Sequence, residues 1–152
     1  MKSKVAKAWS ELVRPMLQRP KRAQVAALCL RPSDRGPEVL LITSLDTGRW
    51  IVPKGWPIVG KSGPETALYE AWEEAGVARA EVAEEPVGIF GYGKRRKNGT
   101  VEPVETYVYR LDVEEQTDEF PEAGQRTLRW VAPQEAANMV QEPQLQDLLR
   151  QL

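Results

Sequence analysis

Three carboxylates fall within five residues of this chain, in the run Tyr69-Glu70-Ala71-Trp72-Glu73-Glu74-Ala75-Gly76-Val77. On a helix turning about 100° per residue, Glu70, Glu73 and Glu74 share one side, while Ala67, Leu68, Ala71, Trp72 and Ala75 share the other. One face packs and the other holds charge. Clustered carboxylates repel one another unless a cation neutralises them, and hard divalent ions select oxygen ligands of this kind. The chemistry implied is metal-assisted. By itself such a pattern is more often a solvated helix face, but the preceding segment argues against that. Pro53-Lys54-Gly55 opens a loop to Gly63 that also holds Pro57 and Gly60. In such a loop, bare backbone can approach a metal or a phosphate.

The helix has readable ends. Ser62 with Glu65 forms a capping box, Pro64 suits the first turn, and Gly76 supplies a left-handed stop. Other chemistries are excluded by composition. The chain has no histidine and one cysteine, Cys29. Ser-His-Asp and Cys-His catalysis, His-ligated metals, cysteine-rich zinc sites and an intrachain disulfide are therefore all ruled out. Cys29 reads as a small core residue in a strand. Acid–base and metal work must fall to carboxylates.

The segment from Gly55 to Val77 resembles the Nudix box, Gly-x5-Glu-x7-Arg-Glu-U-x-Glu-Glu-x-Gly-U, with U aliphatic. Gly55, Glu70, Glu73, Glu74, Gly76 and Val77 stand at matching positions. Lys61 stands where the pattern has its first Glu, Tyr69 where it has Arg, and Ala71 is small for an aliphatic site. In the family that Arg steadies the neighbouring carboxylates. Losing an acid and a base together removes an ion pair as a unit, which is gentler than stranding one charge.

The likeness runs from about Lys21 to Val140. It includes Lys21-Arg22-Ala23, Arg49-Trp50-Ile51-Val52-Pro53, Val87-Gly88-Ile89-Phe90 and Arg126-Thr127-Leu128-Arg129-Trp130, which resemble the diphosphoinositol polyphosphate phosphohydrolase branch. That branch also includes diadenosine polyphosphate hydrolysis. The resemblance implies an α/β/α sandwich around a mixed sheet. It implies Mg²⁺ or Mn²⁺ held by Glu70, Glu73 and Glu74 with the backbone carbonyl of Lys54 or Gly55. Glu74 is the favoured general base and Glu70 the next, with Glu115 and Glu119 on a later loop left open. Lys21, Arg22, Arg126 and Arg129 match basic positions of the branch and are candidates to bind substrate, as is Gly55.

Lys94-Arg95-Arg96-Lys97 is the densest basic run, and Asn98-Gly99 after it signals a hairpin turn. A polyphosphate needs several cations, and Arg grips phosphate oxygens bidentately. A solvated hairpin tip is the plain alternative, and nucleic-acid contact is the least favoured. Trp50, Trp72 and Trp130 are expected in the core. Trp56, in the glycine-rich loop, has two readings, stacking on a base or covering the loop. The first 35 residues carry nine basic against two acidic residues, although the whole chain is at −1. That polarity fits a basic rim beside an acidic site or a solvated basic tail.

The positioning elements follow from periodicity. Val5, Trp9, Leu12, Val13, Met16 and Leu17 predict an amphipathic helix over 3–17, giving an N-terminal segment 1–18 and a domain 19–152. Strands are expected at Val25–Arg31, Glu38–Ser44, Trp50–Val52, Val87–Tyr92, Val104–Val113 and Leu128–Val131, with helices starting at Pro133 and near Pro143. No run reaches the ~20 apolar residues of a membrane span, so a cytoplasmic location is expected. The N-terminal helix leaves open docking on its own domain or homodimer formation.

The reading is a metal-dependent hydrolase of phosphoanhydride bonds in polyphosphorylated small molecules. Its alternatives are a ligand-binding module with lost catalysis and a nucleoside-diphosphate-sugar or NTP pyrophosphatase.

Overall fold

The computed structural model describes residues 22–152. The expected helix over 3–17 and the candidate Lys21 lie outside the described residues.

The first strands are built from uninterrupted apolar runs, the signature of strands covered on both faces. Strand β1 (Arg22–Ser33) and strand β2 (Gly36–Thr43) form an antiparallel hairpin. Along β1, Ala26, Leu28 and Leu30 point into one core, and Val25, Ala27 and Cys29 into the other. Cys29 is fully buried, and burial pushes its thiol up to about 12, so it is inert packing.

Strands β3 (Trp50–Ile51), β4 (Lys54–Gly55), β5 (Val77–Val82), β6 (Gly88–Arg95), β7 (Val101–Gln116) and β8 (Leu128–Val131) complete an eight-stranded sheet. Its main path is β3-β2-β1-β7-β5, with β4 on β1, β6 on β7 and β8 on β2. The β1–β7 pair is parallel and the others antiparallel, so the sheet is mixed. The basic hairpin turns at Asn98-Gly99 as expected, with Gly99 N–H donating to Arg96 O at 3.0 Å.

Helix α1 (Gly63–Ala75) lies on one face, its Ala67, Ala71 and Ala75 packed on the sheet. Helices α2 (Pro133–Met139) and α3 (Pro143–Arg150) cover the other face through Ala136, Ala137, Leu145 and Leu149. This is the expected α/β/α sandwich. Small Ala71 lets α1 approach closely. The Ser62–Glu65 capping box is formed, and Gly76 closes the helix at φ 75°.

Lys54–Gly55, read from sequence as the opening of a loop, pairs as β4, and Glu115, expected on a loop, lies on β7; two further features differ from the sequence reading. Trp72 is at the surface, 37% exposed, its ring tilted against Tyr69 at 5.9 Å between centroids instead of buried in the core. The alanine stripe already fills the contact with the sheet, leaving no room for an indole. Strand β5 was not expected, because Arg79 and Glu81 interrupt its apolar residues, and its pairing with β7 carries register shifts. Among the described residues no helix is long and apolar enough to cross a membrane.

Candidate active site

The carboxylate side of α1 is covered, not solvated. Glu70 and Glu74 are only 8% and 7% exposed, while Glu73 is half-buried. The cover on one side is β4, held to β1 by the Val25–Gly55 and Ala26–Lys54 pairings. The Lys54 N–H donates to Glu74 Oε1 at 3.0 Å. A Cβ at position 55 would stand 2.3 Å from Glu70 Oε1, so glycine is the residue that lets this backbone pass over the carboxylate.

The other cover is the loop over residues 117–127. It is clamped to the end of α1, where Glu122 N–H donates to Glu73 O at 3.0 Å and Thr117 N–H to Gly76 O at 2.8 Å. The clamp brings Glu122 and Arg126 against the carboxylates of α1. Arg126 Nε donates to Glu122 Oε1 at 2.9 Å, Nη1 to Thr43 O at 2.9 Å, and Nη2 to Glu74 Oε2 at 3.4 Å.

Two acids so enclosed hold their protons more tightly than free carboxyls do. Burial, then the charges of Glu73 and Glu122, pushes Glu70 up to about 7. Burial likewise lifts Glu74 to about 7, against the pull of Arg126 and the Lys54 N–H. Near neutral pH the pair is short of positive charge. Among the described residues no three acidic or cysteine side chains converge as a ready metal cage. Mg²⁺, however, typically takes one or two carboxylates and fills its remaining positions with water and phosphate oxygens. Two buried, under-neutralised carboxylates beside an open cleft fit that habit.

The cleft adjoins Glu74. Its inner part, about 250 Å³, is lined by Glu74, Arg126, Gln24, Lys54, Tyr92 and Lys94 among others. Its outer part, about 430 Å³, shares Lys54, Tyr92 and Lys94 and adds Arg49 and Arg95. Lys54 Nζ lies 5.2 Å over the Tyr92 ring, whose hydroxyl donates to Gln24 Oε1. Burial lowers the Lys54 ammonium to about 8 and raises the Tyr92 phenol to about 12. One end of the cleft is acidic and its wall is cationic.

The sequence candidates are distributed unevenly around it. Lys94 and Arg95 line the outer cleft, but Arg96 is turned to Glu102 at 2.6 Å. Arg22 lies 3.9 Å over the Trp56 ring and 3.5 Å from Glu102, with Lys94 Nζ 5.9 Å from the same indole. Trp56 is thus flanked by cations. Arg129 is exposed on β8, 3.5 Å from Glu135 and 5.8 Å from the Trp50 ring, and does not line the cleft. Glu115 and Glu119 are exposed and also absent from its lining. Lys61 and Tyr69, the two charged positions that depart from the box pattern, meet each other, Lys61 Nζ lying 5.7 Å over the ring.

Glu122, Asp46, Arg49, Gln24 and Tyr92 are at the site and were not singled out from sequence. Glu122 belongs to the clamped loop. Asp46 and Arg49 line the outer cleft, and Arg49 is held by Glu142 at 2.5 Å. Only the i, i+4 spacing of Glu122 and Arg126 could have paired the first with its partner.

Known proteins share this architecture and sequence pattern. The chain is 33% identical over 107 residues to Nudix hydrolase 12, mitochondrial, of Arabidopsis thaliana, covering 67% of this chain and 51% of that protein. It is 32% identical over 123 residues to human diphosphoinositol polyphosphate phosphohydrolase 3-beta, covering 79% and 70%. It spans about half the length of several curated relatives it matches. A C. elegans Ap4A hydrolase binary complex superposes with a TM-score of 0.64 over 85% of this chain and 93% of that one, at 20% identity, a likeness of fold. The NUDIX domain model matches residues 20–152, and the chain belongs to that family.

Proposed function

We propose that this protein is a metal-dependent hydrolase of phosphoanhydride bonds in polyphosphorylated small molecules, of the diphosphoinositol polyphosphate or dinucleoside polyphosphate class. One observation carries the reading: the buried Glu74 of α1, in contact with the buried Glu70 behind it, lines a cleft whose wall includes Lys54, Lys94, Arg95 and Arg49. An acidic end suits a divalent cation and a basic wall suits phosphate oxygens. The kinship with human diphosphoinositol polyphosphate phosphohydrolase 3-beta supports the substrate class.

Glu70 and Glu74 would hold Mg²⁺ or Mn²⁺, with Glu73 completing the set directly or through water and the carbonyl of Lys54 or Gly55 contributing. When bound, such an ion neutralises charge at the phosphate and increases the acidity of water. Glu74 is the favoured base. Its Oε1 is fixed by the Lys54 N–H and its Oε2 by Arg126, which holds the carboxylate in one orientation beside the cleft. Water attacks phosphorus, its proton passes to the base, and the bridging P–O bond breaks. Lys54, Lys94 and Arg95 orient the chain of phosphates by charge and hydrogen bonds.

The division into a leading segment 1–18 and a domain 19–152 belongs to the same reading. A second reading, a ligand-binding module without turnover, is favoured by Lys61 and Tyr69 at two charged box positions. The test is Mg²⁺-dependent phosphate release from a panel of diphosphoinositol, dinucleoside polyphosphate and nucleotide-sugar substrates. Turnover on the first two classes above the third is the expected outcome. Binding without release on every member would establish the module instead.

A further inference from the structure

Arg126 lies at the floor of the inner cleft with a side chain only 7% exposed. Its position in the cleft suggests a phosphate contact, yet each nitrogen of its guanidinium already has a protein acceptor: Glu122 for Nε, Thr43 O for Nη1, and Glu74 for Nη2. Nη2 also lies 2.9 Å from Glu122 Oε1, so that carboxylate is gripped from two sides. Glu122 is fixed through its own backbone, which donates to Glu73 O at 3.0 Å. The adjacent Gly76–Thr117 bond has no slack, since a Cβ at Gly76 would stand 2.3 Å from Thr117 O. A rigid frame therefore runs from the end of α1 through the loop to Arg126 and back to the Glu74 carboxylate.

We propose that Arg126 is a positioning residue, which fixes the Glu74 carboxylate toward the cation through the Glu122–Arg126–Thr43 frame and does not itself grip substrate. The inference rests on the metal-site reading of Glu74. It departs from the substrate-binding role expected for Arg126 from the family resemblance. On the helix itself, position 69 is a tyrosine occupied with Lys61 and Trp72, so no cation on α1 serves this carboxylate from there.

The role predicts an effect opposite in sign to simple electrostatics. Removing a positive charge beside a cation site should tighten cation binding. Losing the group that orients a ligand should weaken it, by about tenfold or more. The experiment measures Mn²⁺ affinity of the substrate-free protein by electron paramagnetic resonance, for the parent, Arg126→Gln and Arg126→Lys. It also measures kcat and KM on diadenosine tetraphosphate with Mg²⁺.

For Arg126→Gln the expected results are Mn²⁺ binding weaker by about tenfold, kcat lower by about tenfold to a hundredfold, and KM within about threefold of the parent. Arg126→Lys, which keeps the positive charge but loses the planar fork that holds Glu74, Glu122 and Thr43 O together, should weaken Mn²⁺ binding by about threefold or more. Unchanged or tighter Mn²⁺ binding overturns the proposal, as does a tenfold rise in KM at constant kcat, which would mark a phosphate contact. If Arg126→Gln does not fold, Arg126→Lys decides by the same Mn²⁺ criterion. A parent that binds Mn²⁺ but turns over no substrate removes the hydrolase reading, and the Mn²⁺ titrations still judge Arg126. A parent that binds no Mn²⁺ removes the metal site and this role with it.

Discussion

Replacing Glu70 by Gln should make the metal-free protein more stable while eliminating turnover. The carboxyl of Glu70 is tucked against Gly55 and interacts with Glu74, so a glutamine of the same shape imitates its protonated form. Both acids are raised from 4.5 to about 7, which means the folded chain binds protons more tightly than the unfolded one. The stability these two groups contribute is fully present below pH 4.5 and is lost as pH rises through 7.

A shift of that size on one group corresponds to about 3 kcal/mol at 1.36 kcal/mol per unit. Because the two acids share part of the penalty, removing one should recover about 2–3 kcal/mol at pH 8, or about 5–10 °C in Tm for a chain of this size. The assay is thermal denaturation in EDTA at pH 5 and pH 8. The variant should melt with the parent at pH 5 and well above it at pH 8. Saturating Mg²⁺ should raise the parent and leave the variant nearly unchanged. Equal melting temperatures at pH 8, or the same gain at both pH values, would refute the charge-repulsion argument. Near-parent hydrolysis by the variant would refute the proposed metal site.

Other perturbations separate the remaining parts of the site. Arg95→Ala should raise KM for diadenosine tetraphosphate by about tenfold but leave ADP-ribose within about twofold, with the difference shrinking at high salt; steady-state kinetics on the two substrates at two ionic strengths reads it, and equal losses on both would reduce Arg95 to general attraction. Arg96→Ala should leave both KM values within about twofold, since its guanidinium is engaged by exposed contacts to Glu102. Lys61→Glu with Tyr69→Arg should show a coupling of at least about 0.5 kcal/mol in a urea-denaturation cycle, because the two parent side chains touch; additivity would mean the contact is incidental. Gly55→Ala should weaken Mn²⁺ binding by about tenfold by driving the Glu70 carboxylate from its place, and an unchanged titration would show that the carboxylate relocates freely.

The fold was legible where physics is local. The apolar runs of β1 and β2, the Ser62–Glu65 box and Gly76 each specify their own conformation, and the structure has them where the pattern puts them. Strand β5 escaped because Gly76 closes a helix and opens a strand within one residue, and Arg79 and Glu81 give the strand a polar look. Helical periodicity located Glu70 and Glu74 on the side away from the alanines, which is correct as angle and misleading as environment. What covers that side is β4 and a loop some 50 residues later, and no local signal announces long-range burial. Trp72 failed in the opposite sense: its size argued for the core, but small residues had already closed the gap between α1 and the sheet.

The geometry around Lys54 explains how an acidic end and a cationic wall coexist without cancelling. A lysine beside a buried glutamate would ordinarily pair with it, neutralising both and leaving neither for a ligand. Here the two halves of one residue are sent in different directions. The backbone N–H of Lys54, fixed by the pairing of β4 with β1, goes to Glu74 Oε1, while the ammonium is drawn over the Tyr92 ring. The ring is itself anchored by Gln24 on β1, so the same strand sets both directions. At Oε1 the donor is neutral, and the cation at Oε2, Arg126, is shared with the nearer Glu122, so the carboxylate is left able to take a further cation. The ammonium, kept on the cleft side by a quadrupole instead of an anion, stays available to phosphate oxygens. On the proposed reading, substrate and metal complete a charge balance that β4 holds open.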